Sequence, residues 1–136
     1  MGSIEQNKEL VRLFMDLLSS GEVDEAFTYL ADDAEWFSLS SRTFNSKAVI
    51  RSRLQHVYDN MLRGPIVQTI IAMTAEDDRV AVQSEGRAET VTGVRYDNLY
   101  HFLFQISGDR IGRLWEYTDT KLSHEVLVAP AAGALG

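Results

Sequence analysis

The chain has 136 residues, a net charge of −7, 45% hydrophobic and 24% charged residues, and no cysteine. That length gives one domain with enough core to fold unaided. The acidic balance argues against nucleic acid or an anionic membrane surface as a partner. The lack of cysteine excludes disulfides, thiol nucleophiles and thiolate metal sites. No apolar run reaches membrane-spanning length and no signal peptide is visible, so a cytoplasmic location is the expectation.

Ser3 opens a helix, with Gln6 placed for a capping box. Leu10, Phe14, Leu17 and Leu18 form its apolar stripe, and Ser19-Ser20-Gly21 ends it. Residues 22–30 read as a second, short helix with Val23, Ala26, Phe27 and Leu30 inward. Residues 34–39 read as a first strand, with Trp36 and Ser38 on one face and Glu35 and Phe37 on the other. A loop follows. Ser46 then caps a third helix running to about Leu62, its apolar face made by Ile50, Leu54, Val57, Tyr58 and Met61, before Gly64-Pro65 breaks it.

Four strands come next without crossover helices. They are 66–74, 80 to about 90, and two strands within 96–120 joined at Ser107-Gly108-Asp109-Arg110. This order implies a mainly antiparallel α+β fold. In the last hairpin Asn98, Tyr100, Phe102, Phe104 and Ile106 share one face, and Leu99, His101, Leu103 and Gln105 the other. Leu114, Glu116, Thr118 and Thr120 alternate with Trp115, Tyr117 and Asp119. Both sides are largely apolar, so each needs a cover: a pocket or helix on one, a partner subunit on the other. The domain is expected over residues 1–128, with 129–136 as a disordered tail.

The chain shows no G-x-S-x-G, phosphate loop, dinucleotide fingerprint or H-E-x-x-H, and His56, His101 and His124 lack metal-ligand spacing. No metal or cofactor is expected. The candidates are polar residues on apolar strands. His101, between Leu99 and Leu103, either handles a proton in a cavity or is a strand-bound or rim histidine. Glu116, between Trp115 and Tyr117, either has a burial-raised pKa and acts as acid or base, or is a structural glutamate. Glu85 either joins them or pairs on the surface with Arg87 or Arg113. Trp36, Ser38, Tyr58, Gln83, Leu103 and Thr118 are the candidate substrate contacts, suited to a hydrophobic small molecule. The stripe of Asn98, Tyr100, Phe102 and Phe104 reads either as core or as a homodimer face.

Tyr-x-Asn-x-Tyr (96–100), Glu-Tyr-x-Asp-Thr (116–120) and the helix–Gly–helix–Ala-Asp-Asp-Ala opening that ends at residue 34 resemble the SnoaL-like and ketosteroid-isomerase-like proteins of the nuclear transport factor 2-like superfamily. The resemblance implies a cone: a curved, mainly antiparallel sheet wrapped around N-terminal helices, enclosing a pocket and often dimerising through its sheet. It implies cofactor-free chemistry of the isomerase, cyclase or hydratase/epoxide-hydrolase type, with ligand binding alone or a dimerising accessory domain as the alternatives. In such a register His101 falls at the oxyanion-hole acid of ketosteroid isomerases, but their base falls at Ser38 and their tyrosine at Phe14, neither of which can do that work. The catalytic carboxylate of limonene-epoxide-hydrolase-like members falls at Glu116. Their arginine falls at Gln83, which removes the group that activates an epoxide oxygen.

Overall fold

The computed structural model describes residues 2–129. Helix α1 (Ile4–Ser19) is followed by α2 (Val23–Phe27), β1 (Leu30–Ser38), β2 (Thr43–Ser46), α3 (Lys47–Asn60), β3 (Val67–Glu76), β4 (Arg79–Arg87), β5 (Asn98–Ser107), β6 (Arg110–Thr118) and α4 (Thr120–Ser123), which continues as a π-helical segment, His124–Val128. The strands form one six-stranded sheet in the order β2-β1-β6-β5-β4-β3. Only β1 and β6 run parallel. The sheet is curved and unclosed, and α1 lies against its inner face. The expected α+β cone is the observed fold.

Local chemistry explains the element boundaries. Ser3 Oγ accepts from Gln6 N–H at 3.1 Å while Gln6 Oε1 accepts from Ser3 N–H at 2.8 Å, the reciprocal cap read from sequence. Gly21 ends the turn after α1 with φ +80°, a conformation that disfavours any side chain. Helix α2 stops at Phe27 rather than reaching Leu30, because Leu30 already pairs with Ile111 as the first residue of β1. Strand β2 was not expected. Thr43 to Ser46 fold back on β1, pairing Trp36 with Asn45 and Phe37 with Phe44, where the Ser/Arg/Asn composition reads only as loop. Of the expected tail, only Ala129 lies within the described residues.

The core sits between α1, α2 and the inner sheet face. Val11, Phe14, Val80, Val82, Phe104, Ile111 and Leu114 are fully buried. Phe14 is its hub, with ring centroids 6.0 Å from Phe104, 6.3 Å from Trp36 and 6.4 Å from Phe27, within the range of favourable aromatic pairing. Helix α3 is held far less firmly, since Ile50 is its only fully buried residue. A smaller cluster of Leu62, Ala88 and Tyr96 is covered by Leu122, Val126 and Leu127 from the C-terminal segment. Among the described residues no helix is long and apolar enough to cross a membrane.

Inner-face packing demands a glycine at one point. A Cβ on Gly86 would stand 2.6 Å from Tyr100 Cε2 and 2.9 Å from Ile66 Cγ2, so the Tyr100 ring lies where any side chain would go. Gly86→Ala is expected to cost about 1–3 kcal/mol through overpacking, lowering Tm by roughly 4 °C or more in a thermal melt. An unchanged melt would show that the Tyr100 ring is free to move aside.

Candidate functional site

The inner face of the hairpin is the aromatic stripe. Asn98, Tyr100, Phe102, Phe104 and Ile106 are buried, while Leu99 and His101 are exposed and Leu103 and Gln105 half-buried on the outer face. The stripe is therefore core and pocket wall, and it offers no surface to a second subunit. The reason is one extra residue. Ser107 pairs with Arg110 and Ile106 with Ile111; continued unbroken, that count would set His101 opposite Glu116. Instead Gln105 pairs with Arg113, Gly112 bulges out, and Phe102 faces Glu116. A one-residue slip turns a strand's faces over.

Glu116 is thus delivered to the interior. It lines a cavity of about 70 Å3 enclosed by Phe14, Met15 and Leu18 of α1, Trp36 of β1, Leu54 and Tyr58 of α3, Ile66 and Gln68 at the head of β3, Tyr100, Phe102 and Phe104 of β5, and Leu114 of β6. Trp36 Nε1 donates to Glu116 Oε1 at 3.0 Å. Among the described residues no other hydrogen bond reaches the carboxyl group, and no cationic side chain lines the cavity. Burial accordingly raises the Glu116 pKa above the ordinary carboxylate range, and the indole hydrogen bond only partly offsets it.

Two phenols share this cavity. Burial pushes the Tyr58 hydroxyl up to about 12, a backbone hydrogen bond with Ile66 pulls the other way, and the nearby Glu116 charge adds to the rise. Tyr100 is raised by burial, by Tyr96 and by Glu116. Both hydroxyls therefore stay protonated at neutral pH and serve as donors. Tyr100 Oη donates to Tyr96 Oη at 3.5 Å, and Tyr96 Oη accepts from Asn98 Nδ2 at 3.1 Å. Gln68 Oε1 accepts from Ser84 Oγ at 2.7 Å, which fixes the amide and leaves its Nε2 toward the cavity wall. One acid facing several neutral donors in an apolar enclosure is an arrangement for moving a proton and holding an oxyanion.

The other expected residues lie elsewhere. His101 sits between Gln83 and Tyr117 on the outer face, so it does not meet Glu116. Glu85 is on the same outer face, 4.0 Å from the Arg87 guanidinium, the surface pairing foreseen as its alternative. Gln83, Glu85, His101 and Thr118 line an open groove with Ile71, Leu99 and Tyr117. Thr118 Oγ1 is spent on the Leu99 carbonyl at 2.9 Å. Leu103 also faces outward, opposite Trp115. Ser38 is level with Glu116 across the parallel β1–β6 pair but ends its strand outside the cavity wall. Of the nine candidates, Glu116, Trp36 and Tyr58 line the cavity. The sequence reading missed Tyr100 and Gln68, and the bulge that places Tyr100 leaves only Gly112 as its sign. Among the described residues no group of three or more His, Asp or Glu is placed to hold a metal.

Comparison with known proteins agrees with this architecture. The family model for the SnoaL-like domain matches residues 11–114. PrhC from Penicillium brasilianum NBRC 6234 superposes with a TM-score of 0.85 at 15% identity, over 98% of this chain and 93% of its own. An NTF2-like protein of unknown function from Burkholderia pseudomallei K96243 gives 0.78 at 14% identity, over 91% and 98%. TerC, co-crystallised with polyporic acid, gives 0.77 at 18% identity, over 89% and 97%. A comparison with curated protein sequences finds no match. At such identities the superpositions speak for the fold, while the family model spans most of the chain: this protein belongs to the SnoaL-like domain family and has an NTF2-like fold.

Proposed function

We propose that this protein is an acid–base catalyst acting on a hydrophobic, carbonyl-bearing small molecule, in an isomerase, cyclase or hydratase type of reaction that needs no cofactor. The observation that carries this reading is Glu116: a single carboxyl group aimed into an aromatic cavity, with a raised pKa and one orienting hydrogen bond from Trp36. A base works best when its pKa lies nearer the working pH than an exposed glutamate's does. In the proposed step, ionised Glu116 takes a proton from the carbon beside the carbonyl. The C–H electron pair becomes the new C=C bond, and the carbonyl π pair moves to oxygen, where Tyr58 donates a hydrogen bond. Return of the proton to a different carbon completes an isomerisation. Attack of the enolate carbon on a second carbonyl completes a cyclisation, with the new alkoxide taking the proton. The co-crystallisation of TerC with polyporic acid supports an organic small molecule as the ligand class.

The size of the cavity favours a second reading, a binding protein without chemistry. About 70 Å3 is well below the roughly 300–1,000 Å3 of a typical ligand pocket, so any sizeable ligand must first open the cone. The two readings part at Glu116. In D2O, α-deuteration of β-tetralone followed by NMR is expected to slow by roughly 100-fold or more in Glu116→Gln, while ligand affinity is kept. A carrier would show no catalysed exchange in either protein.

Trp36→Phe removes the hydrogen bond that lowers the Glu116 pKa. The acid limb of the exchange rate is therefore expected to move to higher pH, and a limb that stays put would detach Trp36 from the proton-handling group.

Stability gives an independent check. The folded protein holds the Glu116 proton more tightly than the unfolded chain, so ionisation works against folding. No penalty exists below the ordinary carboxylate range. It accumulates as pH rises from there to the raised value and is constant above it. Glu116→Gln is therefore expected to melt higher than wild type at pH 8, by roughly 3 °C or more, with the difference vanishing near pH 4. A lower melt at pH 8 would mean that the carboxylate is stabilising in place.

A further inference from the structure

Tyr58 belongs to two spaces at once. Its ring walls the internal cavity beside Glu116, and it also floors an open cleft of about 300 Å3 on the protein surface. The cleft runs between the start of α2 and the last two turns of α3, and Gly64-Pro65 closes its far end. Nothing else is common to the two linings, so the half-buried ring of Tyr58 is the partition between them. The partition stands on α3, which has a single buried residue, Ile50. Beyond Ile50, the inward side chains of α3 are the half-buried Leu54, Val57 and Tyr58, and the helix ends at Asn60, before the Gly64-Pro65 break.

The outer cleft has a chemistry of its own. Arg51 donates to Asp24 Oδ1 at 2.6 Å and to Gln55 Oε1 at 2.7 Å, and Gln55 Nε2 donates to Asp59 Oδ1 at 2.6 Å. That chain engages three of the five guanidinium N–H groups and one of the two amide N–H groups. Glu22, Asp24 and Asp59 set three carboxylates against the one cation, so the cleft wall carries an excess of negative charge. Such a wall welcomes a hydroxyl or an ammonium group and repels a carboxylate.

We propose that Tyr58 is a gate, and that the cleft outside it is the outer half of the ligand site, taking the hydroxyl- or amine-bearing end of a ligand whose apolar rings pass into the cavity. The proposal rests on the reading of that cavity as the reaction site. Swinging the Tyr58 ring aside joins the two spaces into one volume within the range of a small-molecule pocket.

The test uses naphthylethanol and its carboxylate counterpart naphthylacetate, which share one ring system. Stopped-flow quenching of Trp36 is read in a Trp115→Phe background, since Trp115 lies on the outer face. Tyr58→Ala is expected to raise the association rate constant for naphthylethanol at least tenfold, and Tyr58→Phe, which keeps the bulk, by less than threefold. Naphthylacetate is expected to bind at least tenfold more weakly than naphthylethanol, and Asp59→Asn to narrow that gap. Equal association rates in Tyr58→Ala and wild type would overturn the gate, as would failure of naphthylethanol to bind either protein. Equal affinity for the two probes would overturn the assignment of the cleft. Failure of the catalytic reading looks different: Glu116→Gln would leave tetralone exchange unchanged while Tyr58 still controlled the rate of probe binding.

Discussion

The bulge at Gly112 determines which side of the sheet receives Glu116, because it shifts the pairing of β5 and β6 by one residue partway along the hairpin. Beyond the bulge Phe102 and Phe104 share a face with Leu114 and Glu116. The hydrophobic effect then decides which face is inner. Five consecutive inward positions on β5, from Asn98 to Ile106, are buried, and α1 supplies Phe14 to meet them. Glu116 goes inside because it shares a pleat with Leu114, whose burial the core requires. The carboxylate is carried into the cone by its neighbours, against its own preference for water.

Its surroundings do little to offset that preference. Trp36 contributes a neutral N–H, and the phenols contribute neutral donors, but no guanidinium or ammonium comes near. Two cations on the neighbouring elements are paired outside: Arg113 with Glu35 at 2.8 Å and Arg51 with Asp24 at 2.6 Å. A structural glutamate in such a place would be expected to gain a cationic partner or be replaced by an apolar residue of similar volume, since an unpaired buried acid only weakens the fold. A buried acid with a single orienting donor is consistent with the proposed role in proton transfer.

Much of this was legible in the residues. The capping box, the α1 stripe, the Gly-Pro break and the run of four strands name the fold, because each depends on local chemistry that a sequence displays. Strand alternation alone separates Phe102 from His101. What alternation cannot give is the relation between strands. Gly112 reads as an ordinary strand glycine, and pairing counted from the tight turn brings His101 to Glu116, whereas the bulged register sends the imidazole outward to Gln83 and Tyr117. Strand β2 escaped for a related reason. Its stability comes from Phe44 stacking near Phe37 and Trp115, with Arg113 lying 4.8 Å over the Phe44 ring, contacts that no local propensity encodes.

The two walls of the cone differ in a way that bears on how it works. The sheet wall is tied by ladders on every inner strand, so the positions of Glu116, Tyr100 and Trp36 relative to one another are set by backbone pairing. Helix α3 is held by the buried Ile50, by the half-buried Leu54, Val57 and Tyr58, and by polar contacts on its outer side, where Arg51, Gln55 and Asp59 hold each other and Asp24. Exposed contacts of that kind contribute little stability. Glu116, Tyr100 and Trp36 therefore sit on the laddered sheet, and Tyr58 on a helix with one buried residue, Ile50. On the proposed reading, that division would let a cavity of about 70 Å3 widen for a sizeable ligand without separating Glu116 from Trp36.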